Sequence, residues 1–241
     1  IGYCSRREAD RLLEQGKIQV DGHTAFVGER ITKEQYITVN GIPVGEKPRE
    51  IVIAFNKPKG IVCTSSVKEK NNIVDYLHFP TRIYPVGRLD KDTEGLLLIT
   101  DDGMLAHELL APGKHVDKTY FVRVEGKLTV EKIEKLENGV DIGEKKLTMP
   151  AKVEIVGGSW EGAGEPEPGR VRRENLPEVY TELHLTIHEG KFHQVKRMME
   201  AVGTPVIYLK RISMGPLTLP DDLRKGEYRS LTDEELRKLK T

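Results

Sequence analysis

The segment GRLDKDTEG contains the residues of this chain that are best suited to chemistry. Its charged side chains fall within seven consecutive positions: Arg88, Asp90, Lys91, Asp92 and Glu94. A carboxylate can act as a nucleophile or stabilise a positive charge that develops during a reaction, and a nearby cation keeps it ionised. A charged loop on a rigid scaffold is typical of a functional site, although a solvated turn with salt bridges would have the same composition.

A calcium site is the main alternative for this segment. Its acidic residues and Gly95 follow the spacing of a calcium-binding loop, with Asp101 at the twelfth place. Such a loop lies between two amphipathic helices and ends on a bidentate Glu. Here Pro85 and Gly87 precede the calcium loop that this spacing would define, residues 90–101; an apolar run fills its second half, and its last ligand would be Asp. We therefore predict no metal site.

The apolar run that follows predicts the element holding this segment in place. Residues 96–99 are Leu-Leu-Leu-Ile, a run too short for an independent helix, and the turn-forming residues 101–103 close it. This pattern indicates a buried strand. Pro85 and Gly87 interrupt regular structure ahead of it, which places Asp90 on a loop.

Alternating and helical patterns predict the rest of a larger domain. The predicted strands are 51–55, 61–64, 118–124, 151–156, 180–187 and 206–212. The predicted helices are 103–110, 129–137, a segment within 188–203, and a short closing helix that begins with a capping box at Thr232. The buried stripe predicted within 188–203 consists of Phe192, Val195, Met198, Met199 and Val202. Lys196 lies at the border of that stripe, where it can reach a partly buried carboxylate or extend into solvent.

Helix and hairpin signals also predict a small unit at the start of the chain. The segment SRREADRLLEQG predicts a helix with Ser5 as its N-cap and Gly16 at its end. A strand at 17–20 precedes an Asp-Gly turn, and the hairpin at 37–44 contains an Asn-Gly turn. Two short hairpins beside one helix are sufficient for a small α/β domain.

The composition of the chain changes at two places, which predicts its domain boundaries. The polar segment 45–50 is the predicted linker between a domain at 1–44 and a larger domain at 51–241. Within the larger domain, the segment 157–179 is rich in glycine and proline, so we predict a flexible excursion between two strands.

Composition excludes several classes of protein. Lysine plus arginine and aspartate plus glutamate number 38 each, so any affinity for nucleic acid must come from local patches. Cys4 and Cys63 are the only cysteines, which argues against structural zinc and a disulfide framework. No apolar run approaches the roughly 20 residues of a membrane span, and no signal pattern opens the chain. We expect a cytoplasmic protein, and Ile1 indicates that its natural N-terminus is missing.

Several motifs resemble those of one enzyme family. GRLDKDTEGLLLITDDG is similar to the signature of the RNA pseudouridine synthases, in the RsuA-type branch that modifies ribosomal RNA. NKPKG, the segment around Tyr120 and EGKFHQVKRMM resemble further motifs of that family, and SRREADRLLEQGKIQVDG resembles the alpha-L RNA-binding motif. The resemblance covers the chain except 157–179. It implies an α+β fold, with a catalytic domain on a mostly antiparallel mixed sheet and a small N-terminal α/β RNA-binding domain.

The resemblance also implies a reaction and a set of site residues. The uracil N-glycosidic bond of a uridine breaks, the base turns, and it is rejoined through carbon; nothing is oxidised or hydrolysed, so no cofactor is required. The implied catalytic residues are Asp90, Tyr120, which stacks on the uracil, and Lys196, which pairs with Asp90. The implied substrate contacts are Arg88, Lys57, His193 and Arg197. The implied phosphate contacts are Arg6, Arg7, Arg11 and Lys17. Many synthases have arginine where this chain has Lys196, which keeps the charge and loses bidentate geometry.

The implied partner is ribosomal RNA within a ribosomal subunit assembly intermediate, because a finished ribosome buries most bases. We expect the protein to be a monomer. The FHQVKRMM motif and the C-terminal ISMGPLTLPDDLRKGEYRSLT favour small-subunit rRNA, whereas the N-terminal motif looks as much like the large-subunit enzymes. Two other classes stay open: a non-catalytic RNA-binding assembly factor, and a glycosidase, which would need a second working carboxylate beside Asp90.

Overall fold

Two β-sheets organise the part of the chain that the structure describes. The structure is a computed structural model, and it describes residues 3–4, 6–32, 34–44, 51–64, 69–110, 116–159 and 177–240. The predicted cap Ser5, the predicted linker 45–50 and residues 160–176 of the predicted excursion lie outside the described residues. The domain boundaries therefore stay predictions.

The first sheet has four short strands beside one helix. The elements are α1 (Arg6–Glu14), β1 (Ile18–Val20), β2 (His23–Thr24), β3 (Ile37–Val39) and β4 (Ile42–Pro43), in the strand order β2-β1-β3-β4. Both predicted turns have positive φ at two successive residues, 49° and 86° at Asp21-Gly22 and 53° and 77° at Asn40-Gly41. Tight two-residue hairpins need this geometry, so the predicted hairpins are confirmed.

The second sheet has nine strands and is mixed. The strands are β5 (Val52–Lys57), β6 (Tyr84–Val86), β7 (Glu94–Thr100), β8 (Lys118–Glu125), β9 (Lys152–Gly158), β10 (Tyr180–Ile187), β11 (Val206–Met214), β12 (Leu217–Thr218) and β13 (Tyr228–Ser230). The main path is β13-β5-β7-β11-β8-β10-β9, and β6 and β12 pair with β7 and β11. Among the described strands only β7 and β11 pair in parallel, so the predicted mostly antiparallel mixed sheet is confirmed.

The central strand β7 is buried on both of its faces, which explains its continuous apolar run. Leu97 and Ile99 belong to one hydrophobic core, and Leu96 and Leu98 belong to the other. All four residues have 0% exposure. Because β7 is packed on both faces, it fixes the end of the charged loop that precedes it.

Five helices cover the two faces of the large sheet. They are α2 (Ile73–Leu77), α3 (Gly103–Leu109), α4 (Val130–Asn138), α5 (Gln194–Ala201) and α6 (Asp233–Lys240). The first core receives residues from α2, α4 and α5, and the second receives residues from α3 and α6. The predicted capping box at the start of α6 is present, because Glu235 and Thr232 exchange side-chain hydrogen bonds with each other's backbone N–H.

Three local predictions were wrong. Residues 61–64 form no strand, only one isolated bridge between Val62 and Asn72, because no neighbouring strand is available to pair with them. Phe192 lies before α5 and is 73% exposed, so it does not belong to the buried stripe. Gly157 and Gly158 continue β9 and are not part of the excursion.

Candidate active site

Asp90 lies on the loop that joins β6 to β7, and the backbone of this loop is fixed on both sides. Thr93 donates its N–H to the carbonyl oxygen of Asp90 at 3.1 Å, and Gly60 donates to that of Lys91 at 2.7 Å. Just before Asp90, the N–H of Leu89 donates to the sulfur of Cys63 at 3.4 Å. The carboxylate of Asp90 is therefore presented by a loop with a defined conformation.

Lys57, at the end of β5, holds the same loop from inside the protein. It is 0% exposed, and its ammonium donates to the carbonyl oxygens of Thr93 at 2.8 Å, Pro58 at 3.0 Å and Asp90 at 3.1 Å. Burial lowers the pKa of Lys57 from its usual value. The prediction that Lys57 contacts the substrate was wrong, because the side chain has no accessible surface.

Two side chains of the segment around α5 approach the carboxylate of Asp90. The Lys196 ammonium lies 3.3 Å from Asp90 Oδ2, and Nε2 of His193 lies 3.5 Å from Asp90 Oδ1. His193 can take this position because its φ of 49° turns the chain sharply ahead of α5. The structure thus brings together Asp90, His193 and Lys196, three of the residues that the motifs indicated.

Lys196 is shared between two carboxylates, which sequence reasoning did not anticipate. Its ammonium is closer to Asp92 Oδ1, at 2.6 Å, than to Asp90. Burial acts to lower the pKa of Lys196, but the hydrogen bond to Asp92 and the charge of Asp90 outweigh it and raise that pKa. The hydrogen bond from Lys196 lowers the pKa of Asp92. Asp92 therefore helps to keep Lys196 charged beside Asp90.

A cavity of about 880 Å³ opens in front of Asp90 and is lined in part by Tyr120, Arg88 and Phe192. Its described lining includes six lysine or arginine side chains and two carboxylates: Arg88, Lys91, Lys118, Lys191, Lys196, Arg211, Asp90 and Glu189. The chain as a whole has no net charge, whereas the cavity lining has an excess of cations over carboxylates. A basic cavity of this size suits an anionic ligand such as one nucleotide of an RNA.

Arg211 is a cavity residue that sequence reasoning missed. It lies directly across from Tyr120 in the antiparallel pair of β8 and β11. It is 1% exposed, its Nε donates to the Leu96 carbonyl oxygen at 2.7 Å, and its Nη2 has no hydrogen-bond partner among the described residues. Burial and the charge of Arg211 lower the pKa of nearby Lys118. The two-residue spacing of Leu209 and Arg211 on β11 was the available signal, since it places both on the Tyr120 face.

Glycine at position 95 is what allows β11 to lie this close to β7. Gly95 has a φ of 102°, and a Cβ there would lie 2.2 Å from the carbonyl oxygen of Arg211. A side chain would push the two strands apart and move Arg211 away from the cavity. The glycine of the charged motif therefore serves the site through strand packing.

Two charged residues are held away from the reacting position. Arg197 pairs with Glu144 at 2.9 Å and donates to the carbonyl oxygens of Phe192 and Ile142. The guanidinium that was predicted to contact substrate is therefore hydrogen-bonded to groups of the protein itself. Glu94 accepts hydrogen bonds from Tyr208 at 2.6 Å and Lys225 at 2.7 Å and does not line the cavity.

The four arginine and lysine residues predicted to contact RNA phosphates lie on the surface of the small N-terminal unit. All are exposed: Arg6, Arg7, Arg11 and Lys17. Arg11 pairs with Glu8 on the same helix. The exposure of these side chains is compatible with the predicted contacts.

The described ranges contain neither a metal-binding cluster nor a helix that could cross a membrane. No group of three or more His, Cys, Asp or Glu side chains there could hold a metal ion. None of the helices in the same ranges has the length and apolar character to cross a membrane.

Comparison with known proteins gives consistent matches. Residues 51–201 match the family described as RNA pseudouridylate synthase. The chain is 42% identical to an uncharacterized RNA pseudouridine synthase, YtzG, of Bacillus subtilis over 98% of the chain and 92% of the relative. It is 37% identical to ribosomal small subunit pseudouridine synthase A of Yersinia pestis, over 96% and 91%. It is 36% identical to ribosomal large subunit pseudouridine synthase B of Bacillus subtilis, over 99% and 91%. A crystal structure of a pseudouridylate synthase superposes with a TM-score of 0.65 at 31% identity, covering 99% of this chain and 95% of that one.

Proposed function

The chain belongs to the RNA pseudouridylate synthase family, and we propose that it converts one uridine of small-subunit ribosomal RNA to pseudouridine. The observation that carries this proposal is the position of the Asp90 carboxylate beside Lys196, at the basic cavity that Tyr120 lines. The enzyme is an isomerase, so the product has the same atomic composition as the uridine.

We assign the first step to Asp90. When the bond between C1′ of the ribose and N1 of uracil breaks, its electron pair leaves with the base and positive charge develops at C1′. A carboxylate in the cavity stabilises that charge, and the ion pair with Lys196 at 3.3 Å holds the carboxylate of Asp90 in position. The two cations Arg211 and Lys118, which also line the cavity, favour the negative charge that develops on the uracil.

We assign the positioning of the base to Tyr120. Its ring lies on the sheet face that lines the cavity and is 7% exposed, so uracil can stack on it away from bulk water. After the base turns, C5 bonds to C1′, the proton on C5 is released, and N1 takes up a proton. Charge and atoms balance without a cofactor.

The target uridine must leave its helix to reach this cavity. Arg88 is exposed at the cavity lining, and we propose that it contacts the RNA at the position that the flipped nucleotide leaves. The N-terminal unit adds phosphate contacts through its exposed cations, which position the enzyme without reading sequence.

The position of Glu94 separates this function from glycoside hydrolysis. A glycosidase needs two carboxylates that flank the scissile bond. Asp92 is bound to Lys196, and Glu94 is held by Tyr208 and Lys225 outside the cavity. Glu189, the second carboxylate of the cavity lining, accepts hydrogen bonds from the Met149 N–H and from the Gln194 side chain. The described site thus presents Asp90 as the carboxylate for the reaction, in agreement with isomerisation.

A product assay tests the reaction directly. Ribosomal RNA from a strain that lacks the gene is incubated with the purified protein, digested to nucleosides and separated by chromatography. We expect pseudouridine to appear as uridine disappears, with no release of free uracil. Free uracil would indicate a glycosidase, and an unchanged nucleoside pattern would indicate a binding protein without this activity.

Mapping identifies the target subunit. One relative is named as a small-subunit synthase and another, of similar identity, as a large-subunit synthase. We propose the small subunit because of the FHQVKRMM motif and the C-terminal segment, with an assembly intermediate in the cytoplasm as the substrate. Pseudouridines are mapped in both rRNAs of the deletion strain. Loss of a large-subunit site with an unchanged small-subunit pattern would overturn the target assignment and leave the chemistry intact.

A further inference from the structure

An exposed aromatic ring stands at the entrance of the cavity. Phe192 is 73% exposed, the highest exposed fraction of any large hydrophobic side chain in the described ranges, and it lines the same cavity as Asp90. Its ring stacks on that of His193, with centroids 3.8 Å apart and an angle of 18° between the planes. His193 covers one face of the Phe192 ring, and the rest of the exposed ring is a flat apolar surface on which a ligand can bind.

The backbone around Phe192 is held in place, although its ring is exposed. Arg197 donates to the carbonyl oxygen of Phe192 at 3.0 Å. Gln194 accepts the N–H of Lys191 at 2.9 Å and donates to Glu189 at 2.9 Å. Three side chains therefore fix the turn on both sides of the ring. A fixed aromatic surface loses little conformational freedom when a ligand binds to it.

From this geometry we propose that Phe192, supported by His193, is a stacking platform for a base next to the target uridine in single-stranded RNA. The inference rests on the proposed function, because it assumes that RNA enters the cavity. Stacking of bases on aromatic side chains is a general means of binding single-stranded nucleic acid, and it tolerates any base. Arg197 is a positioning residue for this platform.

The platform accepts a flanking base and not the reacting one. The reacting uracil needs an enclosed place, which Tyr120, at 7% exposure, provides. Phe192 is ten times more exposed and stands where the cavity opens to solvent. His193, between Phe192 and Asp90, is 3.5 Å from the carboxylate. A nucleotide stacked on Phe192 is therefore a neighbour of the nucleotide at Asp90.

Binding to two matched probes tests the platform. The probes are a short fluorescein-labelled oligouridylate and an abasic ribose-phosphate oligomer of the same length and charge, measured by anisotropy. We expect Phe192→Ala to weaken binding of the oligouridylate by about fivefold to 150-fold, the range for loss of one stacked base, and to leave the abasic probe unaffected. Phe192→Tyr keeps an aromatic ring and should retain binding, whereas Phe192→Leu should lose it.

Val130→Ala is the matched control, because Val130 is 67% exposed and does not line the cavity. It should bind both probes as the wild type does. The platform is refuted if Phe192→Ala weakens binding of both probes equally or of neither. It is also refuted if Phe192→Tyr weakens binding of the oligouridylate as much as Phe192→Ala does. Product formation by the wild type is measured in parallel, so a failure of the proposed function appears there and is distinguishable from a failure of the platform.

Discussion

Replacing Lys57 with methionine removes the ammonium that holds the Asp90 loop and keeps a side chain of similar length. The ammonium makes three hydrogen bonds of 2.8 to 3.1 Å to carbonyl oxygens of Thr93, Pro58 and Asp90. In the variant the carbonyl oxygens of Thr93 and Pro58 lose this donor, and that of Asp90 keeps only the N–H of Thr93.

The expected loss of stability follows from two opposing effects. A hydrogen bond to a charged group contributes about 1.5–3 kcal/mol, and burial of the ammonium costs several kcal/mol, which the variant recovers. We expect the free energy of unfolding to fall by about 2–4 kcal/mol. For a protein of this length that corresponds to a Tm lower by about 4–16 °C.

Activity should fall by more than the loss of stability explains. Asp90 belongs to the loop that Lys57 holds, and a displacement of about 1 Å at a reacting group costs on the order of a hundredfold in rate. We expect kcat of Lys57→Met to fall by that order at a temperature where the variant is folded, with KM for RNA changed little, because Lys57 has no exposed surface. Circular dichroism gives the Tm, and pseudouridine formation gives the rate.

Lys59→Met is the matched control from the same motif. Lys59 is exposed and lies over the ring of Tyr208, 5.2 Å from its centroid, so its loss should leave Tm and kcat close to wild type. If Lys57→Met had wild-type stability and kcat, the role given to Lys57 would be refuted. If instead KM rose with kcat unchanged, Lys57 would be a substrate contact after all.

Four further predictions concern the site, its anchor and the closing helix. Asp90→Asn should reduce turnover below detection in the nucleoside assay. It should leave Tm unchanged and the affinity for RNA within about twofold of wild type, since the isostere occupies the same loop. Turnover comparable to that of the wild type would show that Asp90 is not catalytic. Lys196→Met should lower kcat by on the order of tenfold or more. Asp92→Asn should lower kcat by less, because Lys196 still faces Asp90. Equal losses of kcat in the two variants would contradict the greater role given to Lys196. Deleting 1–44 should weaken RNA binding. It should also make the plot of log affinity against log salt concentration less steep, by up to about four released counterions, one for each of the four predicted phosphate contacts. Equal slopes for the intact and shortened proteins would show that this unit is not the anchor. The hydrogen bonds from Arg229 lower the pKa of Glu235 to about 2. The stability that this ion pair contributes is therefore present above about pH 4.5 and is lost as pH falls towards 2. Glu235→Gln should reduce the unfolding free energy by about 1–2 kcal/mol at pH 7, and the difference from wild type should vanish near pH 2.

The sequence by itself determined the elements whose signals are local. Residues 96–99 are apolar without interruption, which predicted a buried strand, and β7 is buried on both of its faces. Asp21-Gly22 and Asn40-Gly41 predicted tight hairpins because few other pairs tolerate positive φ at two successive positions. The motif around Asp90 was also sufficient to indicate the family, since its charged residues and strand lie within one short segment.

Only the tertiary structure decided how distant residues share the site. Lys196 is 104 residues from Asp92, and no periodic pattern specifies that their side chains meet at 2.6 Å. Lys57 was expected to contact the substrate, and its burial could not be predicted because it depends on the position of the Asp90 loop over the end of β5. Arg211 reaches the cavity only through the register of β8 and β11, which places it across from Tyr120. Local sequence sets which face of an element a side chain occupies, whereas sheet register and loop packing set which side chains meet, and those depend on the whole chain at once.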